Sequence, residues 1–328
     1  MPGQNNPSGE TRIMGLDLLC IGLTTLDIAA RTIERLPGPD ETMLIEGVEV
    51  TAAGTAAGAA VVAGVLGLNV GLSGAVGDDR KGRFVRMSLE EAGVDTCLLT
   101  VVPGAQTSTT ILTIDSQGRR PHFHALGASF RSTVTAETLA AAKTARFVHW
   151  GGVGGPKLDG GPGEELLKAA QAAGAVTTLD LISPQRSALT ELQRLLPHVD
   201  YFLPSAAEAF ALSDADDIAG AAAFFMGLGA KACIVKNGGA GSYAAIGDER
   251  VILPAHDIVP VDTTSCGDSF CAGFIAALAR GWMPMEACRF ATATAALVAQ
   301  GLGTAGIVTS FEATEKAMRE MPLRKAST

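Results

Sequence analysis

A chain of 328 residues, 47% hydrophobic and only 18% charged, is long enough for a sizeable core and too apolar for a disordered protein. Its formal charge of -9, without clustered Lys and Arg, excludes a nucleic-acid-binding surface; a nucleotide, whose phosphates backbone amides and a metal ion can hold, stays open. Apolar runs such as residues 56–66 are too short and glycine-rich to span a bilayer, and six scattered cysteines without a C-x-x-C pair read as reduced thiols of a soluble, cytoplasmic protein.

Residues 1–15 lack an apolar core and are expected to be a flexible tail. The apolar run 18–21, ending at Gly22, suits a buried strand and places Thr24, Thr25 and Asp27 at its carboxyl end, where open α/β sheets bind ligands. Residues 33–52 carry turn signals and no helical period, so they are expected to be strands outside the main sheet. A hairpin within residues 107–127, turning at Ser116-Gln117-Gly118, would join them in a small β-sheet lid. A helix of small residues (54–67), a strand (70–76) and a helix (81–92) occupy the stretch between the two lid patches. After residue 136, helices at 137–143, 164–173, 187–196 and 216–228 alternate with strands at 147–149, 176–181, 201–203 and 233–236. Strands at 242–245 and 250–253 and helices at 269–280 and 284–300 complete the chain. The pattern predicts one α/β domain over 16–328, with a mostly parallel central sheet and helices on both faces.

The stretch Val261-Asp262-Thr263-Thr264-Ser265-Cys266-Gly267-Asp268 joins an extended segment (Val259, Val261) to a helix of small and apolar residues. A small-residue turn there would aim backbone N–H groups outward with the positive end of the helix dipole behind them, a cradle for anionic oxygens. Asp268 at its mouth is either a helix cap or a base beside a bound phosphate. No G-x-x-x-x-G-K-[ST] loop exists, and the run Gly151-Gly152-Val153-Gly154-Gly155 fails the spacing of a dinucleotide loop before Pro156 interrupts it.

Residues 262–268 resemble the Asp-Thr-x-Gly-Ala-Gly-Asp signature of the ribokinase-like (PfkB) sugar and nucleoside kinases, with Ser265 and Cys266 in place of the first Gly and the Ala. The resemblance runs from about Leu18 to Thr309. Gly22-Leu23-Thr24-Thr25-Leu26-Asp27 looks like the substrate strand, Pro37-Gly38-Pro39-Asp40-Glu41-Thr42 the lid turn, and Gly77-Asp78-Asp79-Arg80-Lys81-Gly82 the Gly-Asp-Asp-x-x-Gly element. Leu203-Pro204-Ser205-Ala206-Ala207-Glu208 is similar to the Pro-Asn-x-x-Glu segment, with Ser205 for the Asn, and Lys236-Asn237-Gly238-Gly239-Ala240-Gly241 to the nucleotide loop. Gly54 and Gly58 stand where the family has Gly-Gly-x-x-x-Asn, so Gly58 replaces a pentose-binding Asn and a ribose specificity is not supported.

The resemblance implies ATP-dependent phosphorylation of a hydroxymethyl group on a sugar, sugar acid or nucleoside. Asp268 would take the hydroxyl proton; the amides of Ser265, Cys266 and Gly267 would compensate phosphoryl charge. It further implies Asp27, Thr25, Gly54 and Gly58 at the acceptor, Lys236, Gly238, Gly241, Thr263 and Gly267 at the nucleotide, and Mg²⁺ organised through Glu208. Asp262 and Thr264, with carbonyls of the loop 301–306, are candidates for K⁺, and apolar lid strands for a homodimer. A vitamin kinase of the same superfamily and an inactive, ligand-binding relative are the alternatives. Blander roles stand beside these: a turn cap for Asp27, a first-turn helix acid for Glu208, a snorkelling Lys236, lid-surface positions for His122 and His124. Asp180 either points to the phosphate region or caps a turn, and Cys266, at a helix amino end, is either inert or drawn toward thiolate.

Overall fold

The computed structural model describes residues 15–153 and 158–325. The tail expected over 1–15 therefore lies, but for Gly15, outside the described residues, as do Gly154, Gly155 and Pro156 of the glycine run.

The run Leu18–Gly22 is buried along its whole length because it is covered on both sides: Leu18 and Cys20 enter one hydrophobic core, Leu19 and Ile21 the other. It is a central strand of a nine-stranded sheet. From one edge the order is Glu249–Leu253, Ser242–Ile246, Ala232–Lys236, Tyr201–Phe202, Val176–Asp180, Phe147–Gly151, Leu18–Gly22, Val70–Ser73 and Val94–Asp95. The first two strands pair antiparallel, and from Ala232–Lys236 onward neighbours are parallel, so their carboxyl ends face one way. On one face, helix Thr55–Val65, built of Ala, Gly, Val and Thr, packs against helix Cys266–Ala279, which in turn pairs with Pro284–Val298; small side chains permit the close approach. No helix among the described residues is long and apolar enough to cross a membrane.

A second sheet of four strands, in the order Gly47–Ala53, Thr25–Arg31, Thr109–Ile114 and His122–Ala125, lies beside the first. The expected hairpin is present, but residues 33–46 form no strand, and the central lid strand is Thr25–Arg31. Asp27 thus belongs to the lid sheet and not to the carboxyl end of a main-sheet strand. Its alternation (Leu26 and Ile28 on one face, Thr25, Asp27 and Ala29 on the other) is the signal that marks it. The register sets Asp27 opposite Thr110 and Thr110 opposite His124, a polar row on one face.

Three more boundaries differ from expectation. Val259 and Val261 are not in a strand, the stretch 70–76 breaks at Gly74 into Val70–Ser73 and Ala75–Gly77, and the C-terminal segment Phe311–Glu320 forms an amphipathic helix capped by Ser310. The Thr24 hydroxyl lies 2.2 Å from where a Cβ of Gly74 would be, so the chain needs glycine at that point.

Candidate active site

The parallel strands bring Asp180 and Lys236 to one rim, where the lid's polar face and the amino end of helix Cys266–Ala279 also arrive. Together they enclose a cavity of 1280 Å³. Of the residues assigned from the sequence to catalysis, acceptor, nucleotide or cations, all but Gly58 and Asp262 line it.

The loop into the helix starts at Asp262, whose Oδ1 accepts from the amide (2.8 Å) and hydroxyl (2.6 Å) of Thr264 and turns the chain. Gly303 N–H meets its Oδ2 at 3.2 Å. Ser265 follows in the left-handed region (φ 54) as the N-cap, and the helix begins at Cys266, three residues before the expected 269. Asp268 is accordingly in the first helical turn and is no cap. Among the described residues no acceptor meets the amides of Ser265, Cys266, Gly267 and Asp268, which leaves them free for an anion. A Cβ on Gly267 would stand 3.3 Å from Lys236 Nζ, so the lysine reaches this cradle. It does not snorkel: Nζ is bonded to the buried Asp180 carboxylate at 2.6 Å. Burial alone would push the ammonium down, but Asp180, with Cys271 and Glu208, carries it above its ordinary value, while burial lifts Asp180 against the pull of Lys236. Gly238 and Gly241 bound a tight turn beside it; at Gly241 (φ 90) a Cβ would meet Leu253 O at 1.9 Å, so the turn requires glycine.

Asp268 sits part-buried at the cradle. Burial, then the charge of Asp180, push its carboxyl up to about 7, with Lys236, the Ser265 hydroxyl and Arg120 pulling the other way. A carboxyl with that value can take a proton near neutral pH. Gly58 lies directly behind it, where a Cβ would fall 2.9 Å from Asp268 Oδ2. It leaves room for the carboxylate instead of lining the acceptor pocket. Cys266 corrects the thiolate expectation: burial pushes the thiol up to about 12, against a smaller pull from Arg120, and Sγ contacts Ala295 O at 3.6 Å. The amino-end dipole does not outweigh desolvation.

Glu208 closes a capping box with Ser205, accepting from its amide (2.9 Å) and hydroxyl (2.6 Å), and from the Ser183 amide at 3.1 Å. It is a first-turn helix acid that also faces the cavity. Among the described residues no group of three His, Cys, Asp or Glu could hold a metal, so Mg²⁺ here fits only as an ion carried largely by nucleotide phosphates and water.

At the lid end of the cavity, Thr25 donates to Asp27 Oδ1 at 2.9 Å, and the Thr110 hydroxyl pairs with His124 Nδ1 at 3.1 Å. Burial raises the Asp27 carboxyl, offset in part by hydrogen bonds from Thr110 and Thr25 and the charges of His124 and Arg120. His122 and His124 are exposed but line the cavity, so they are not merely outer lid surface. Gly54 (φ 96) passes so close to Leu23 that a Cβ would be 2.6 Å from its carbonyl. Sequence reasoning missed Thr55, whose hydroxyl is buried on the cavity wall without a partner, and Arg120, whose Nε donates to Thr263 Oγ1 at 3.1 Å. The polar residue after Gly54 was the available signal for the first; the second depends on the lid's fold.

The family model described as pfkB family carbohydrate kinase matches residues 16–310. The chain belongs to the pfkB family. A nucleoside kinase of Methanothermobacter thermautotrophicus is 30% identical over 292 residues, 88% of this chain and 91% of that one. A fructokinase of Klebsiella pneumoniae is 30% identical over 242 residues, covering 70% and 78%. The structure of Arabidopsis thaliana ribokinase complexed with ribose and ATP superposes with a TM-score of 0.78 at 25% identity, over 93% of this chain and 99% of that one. The ribokinase-like fold and the assignment to carbohydrate kinases, phosphotransferases, follow. Against the family signature, Ser265 keeps the left-handed turn without glycine, and the amides of Ser265 and Cys266 remain free.

Proposed function

We propose that this pfkB-family member transfers the γ-phosphoryl group of ATP to a hydroxymethyl group of a sugar, sugar acid or nucleoside. One observation carries the reading: free amides at the amino end of Cys266–Ala279 open into the cavity beside a carboxyl raised to about 7. Asp268 removes the acceptor's proton, the amides of Ser265, Cys266 and Gly267 compensate charge on the phosphoryl oxygens, and Lys236, held by Asp180, flanks them. Thr263 and the Gly238–Gly241 turn form the nucleotide side; Asp27, Thr25 and Gly54 form the acceptor side. Mg²⁺ bound with ATP would neutralise phosphate charge, and Glu208 is the acid proposed to organise it.

The site is intact in its reactive parts, which favours an enzyme over an inactive relative. ATP consumption measured against a panel of sugars, sugar acids, nucleosides and hydroxymethyl vitamins tests this. Turnover with one of the first three classes is expected, and none with any acceptor overturns it.

Three further readings concern a cation, assembly and cellular setting. Asp262 is fully buried with no cationic side chain within 4.0 Å among the described residues, a setting that favours a bound K⁺ as its counter-charge. Equal rates in K⁺ and tetramethylammonium end that reading. The lid's outer face exposes Val48 (53%), Ile111 (44%) and Phe123 (58%), an apolar strip suited to the lid of a second copy. Six free cysteines, four of them buried, suit a reducing, cytoplasmic setting.

A further inference from the structure

Past Ala299, Arg324 is the one described residue that lines the cavity. It belongs to the segment after helix Phe311–Glu320, which is stitched to residues 255–257. Asp257 N–H donates to Pro322 O at 2.7 Å, Arg324 N–H donates to Ala255 O at 2.8 Å, and Leu323 bridges to His256. Main-chain bonds thus fix where the arginine starts. Its guanidinium comes down on the Gly238–Gly241 turn, with Nη1 at 3.4 Å from Gly239 O. A Cβ at residue 239 would stand 2.5 Å from that nitrogen, so the glycine makes room for it. Among the described residues the one carboxylate within 4.0 Å is Asp257, at 3.6 Å, and no hydrogen bond occupies Nη2. The two paired side chains are 43% and 67% exposed, so water screens the pair and leaves the guanidinium available to a ligand.

Its surroundings say which part of the ligand it meets. Ala255, to which it is bonded, forms with Ile258, Pro260, Ala295, Ala296 and Ala299 an apolar stretch of the cavity wall, suited to a flat base and not to phosphate. The turn under the guanidinium follows Lys236, which reaches the cradle that receives the terminal phosphoryl group. A nucleoside triphosphate laid from wall to cradle carries its ribose and α-phosphate past this point. Of those two only the α-phosphate is an oxyanion, the group that a guanidinium fork binds.

We propose that Arg324 is a nucleotide-binding residue that holds the α-phosphate of ATP, and that residues 321–324 are the clip that carries it to the cavity. The inference rests on the kinase reading above. No bond at the α-phosphorus forms or breaks, so the contact is made equally in the bound substrate and in the transition state. It raises affinity for the nucleotide and leaves the rate at saturation alone. ADP and AMP keep the contact, and adenosine lacks it.

The test uses the full chain as wild type, Arg324→Ala, Arg324→Lys and Asp257→Asn, with calorimetry of adenosine, AMP and ADP as a readout that needs no turnover. Arg324→Ala should weaken AMP and ADP by about three- to tenfold and leave adenosine as it was. In turnover the KM for ATP should rise by the same factor, with kcat and the acceptor KM held within about twofold. Arg324→Lys retains charge but not the fork and should fall between the two. Asp257→Asn removes the competing carboxylate and should tighten AMP and ADP by up to about threefold. Unchanged AMP and ADP affinities in Arg324→Ala overturn the inference and leave the kinase reading standing. So does an equal weakening of adenosine and AMP, which would make the arginine a support for the apolar wall and the turn. A loss of kcat with the ATP KM held also overturns it, since an α-phosphate contact cannot act on the chemical step alone. A wild-type protein that neither binds ADP nor turns over any acceptor removes both readings.

Discussion

The two ends of the cavity are built from different materials. At the phosphate end the donors are main-chain amides at residues 265–268, positioned by the Asp262 turn and the start of a helix, with Lys236 locked on Asp180. At the acceptor end they are side chains: Asp27 and Thr25 on the central lid strand, Thr110 and His124 beside them, and Thr55 at the first turn of Thr55–Val65. A backbone cradle tolerates a change of side chain, because Ser265 and Cys266 bring the same N–H groups as glycine and alanine. A pocket of side chains does not, because each change there alters the groups that a ligand meets. Phosphoryl chemistry can therefore persist in a chain whose acceptor has diverged.

The largest test of this contrast is Asp268→Asn, which removes the side chain proposed to take the acceptor's proton. Turnover should fall by about a hundred to ten-thousandfold with ATP affinity retained. Folding lifts this carboxyl from 3.8 to about 7, so between those values the native state holds a proton that the unfolded chain has lost. Stability accordingly falls as pH rises through that window and levels off above 7. The Asn variant escapes the penalty and should be more stable by about 2–4 kcal/mol above pH 7, with no advantage below the unfolded value, as read from urea melts at the two pH values. Asp180→Asn comes next. It breaks a buried ion pair, at a cost of about 3–5 kcal/mol, and takes from Asp268 the neighbouring charge that helps raise it. The acid limb of kcat/KM, expected near 7 in the wild type, should move down by about one pH unit; an unmoved limb would assign it to another group.

The same division explains what could be read from the amino-acid order. The alternation of helices and strands after residue 136 depends on local period and appears in the fold as expected. The turn before helix Cys266–Ala279 is also made by a short stretch of contiguous residues, although the helix starts three residues earlier than expected. The lid was half legible: the hairpin around Ser116-Gln117-Gly118 shows its turn, but Thr25–Arg31 follows a buried strand so closely that its own alternation was read as loop. Asp180 could be noticed and not assigned, since its role is fixed by Lys236, which lies 56 positions away and reaches it only through the parallel sheet. Arg120 meeting Thr263 across 143 positions is a product of lid placement and has no local mark. Cys266 shows the limit of a local rule, for the dipole at a helix start is visible in the sequence and the depth of burial is not.

A smaller test works on the acceptor end. The Thr55 hydroxyl is buried and unpartnered in the free protein, so it costs desolvation until an acceptor hydroxyl bonds to it. Thr55→Val should raise the acceptor's KM by about three- to tenfold and leave the ATP KM and kcat unchanged, while the free protein gains about 1 kcal/mol. A change in kcat instead would place Thr55 at the chemistry and weaken the division between the ends.

The smallest expected effect is Ser265→Gly, and it separates the backbone from the side chain at one position. Ser265 holds φ 54 without being glycine, so relief of that strain should stabilise the fold by about 0.5–1 kcal/mol, a rise of one or two degrees in Tm for a chain of this size. The cradle amide is unchanged, so ATP affinity should be too. What is lost is the hydroxyl that holds Asp268 below the value burial alone would give it, and the acid limb should shift slightly upward. If ATP affinity falls instead, the serine side chain takes part in binding phosphate, and the cradle is not made of main-chain donors alone.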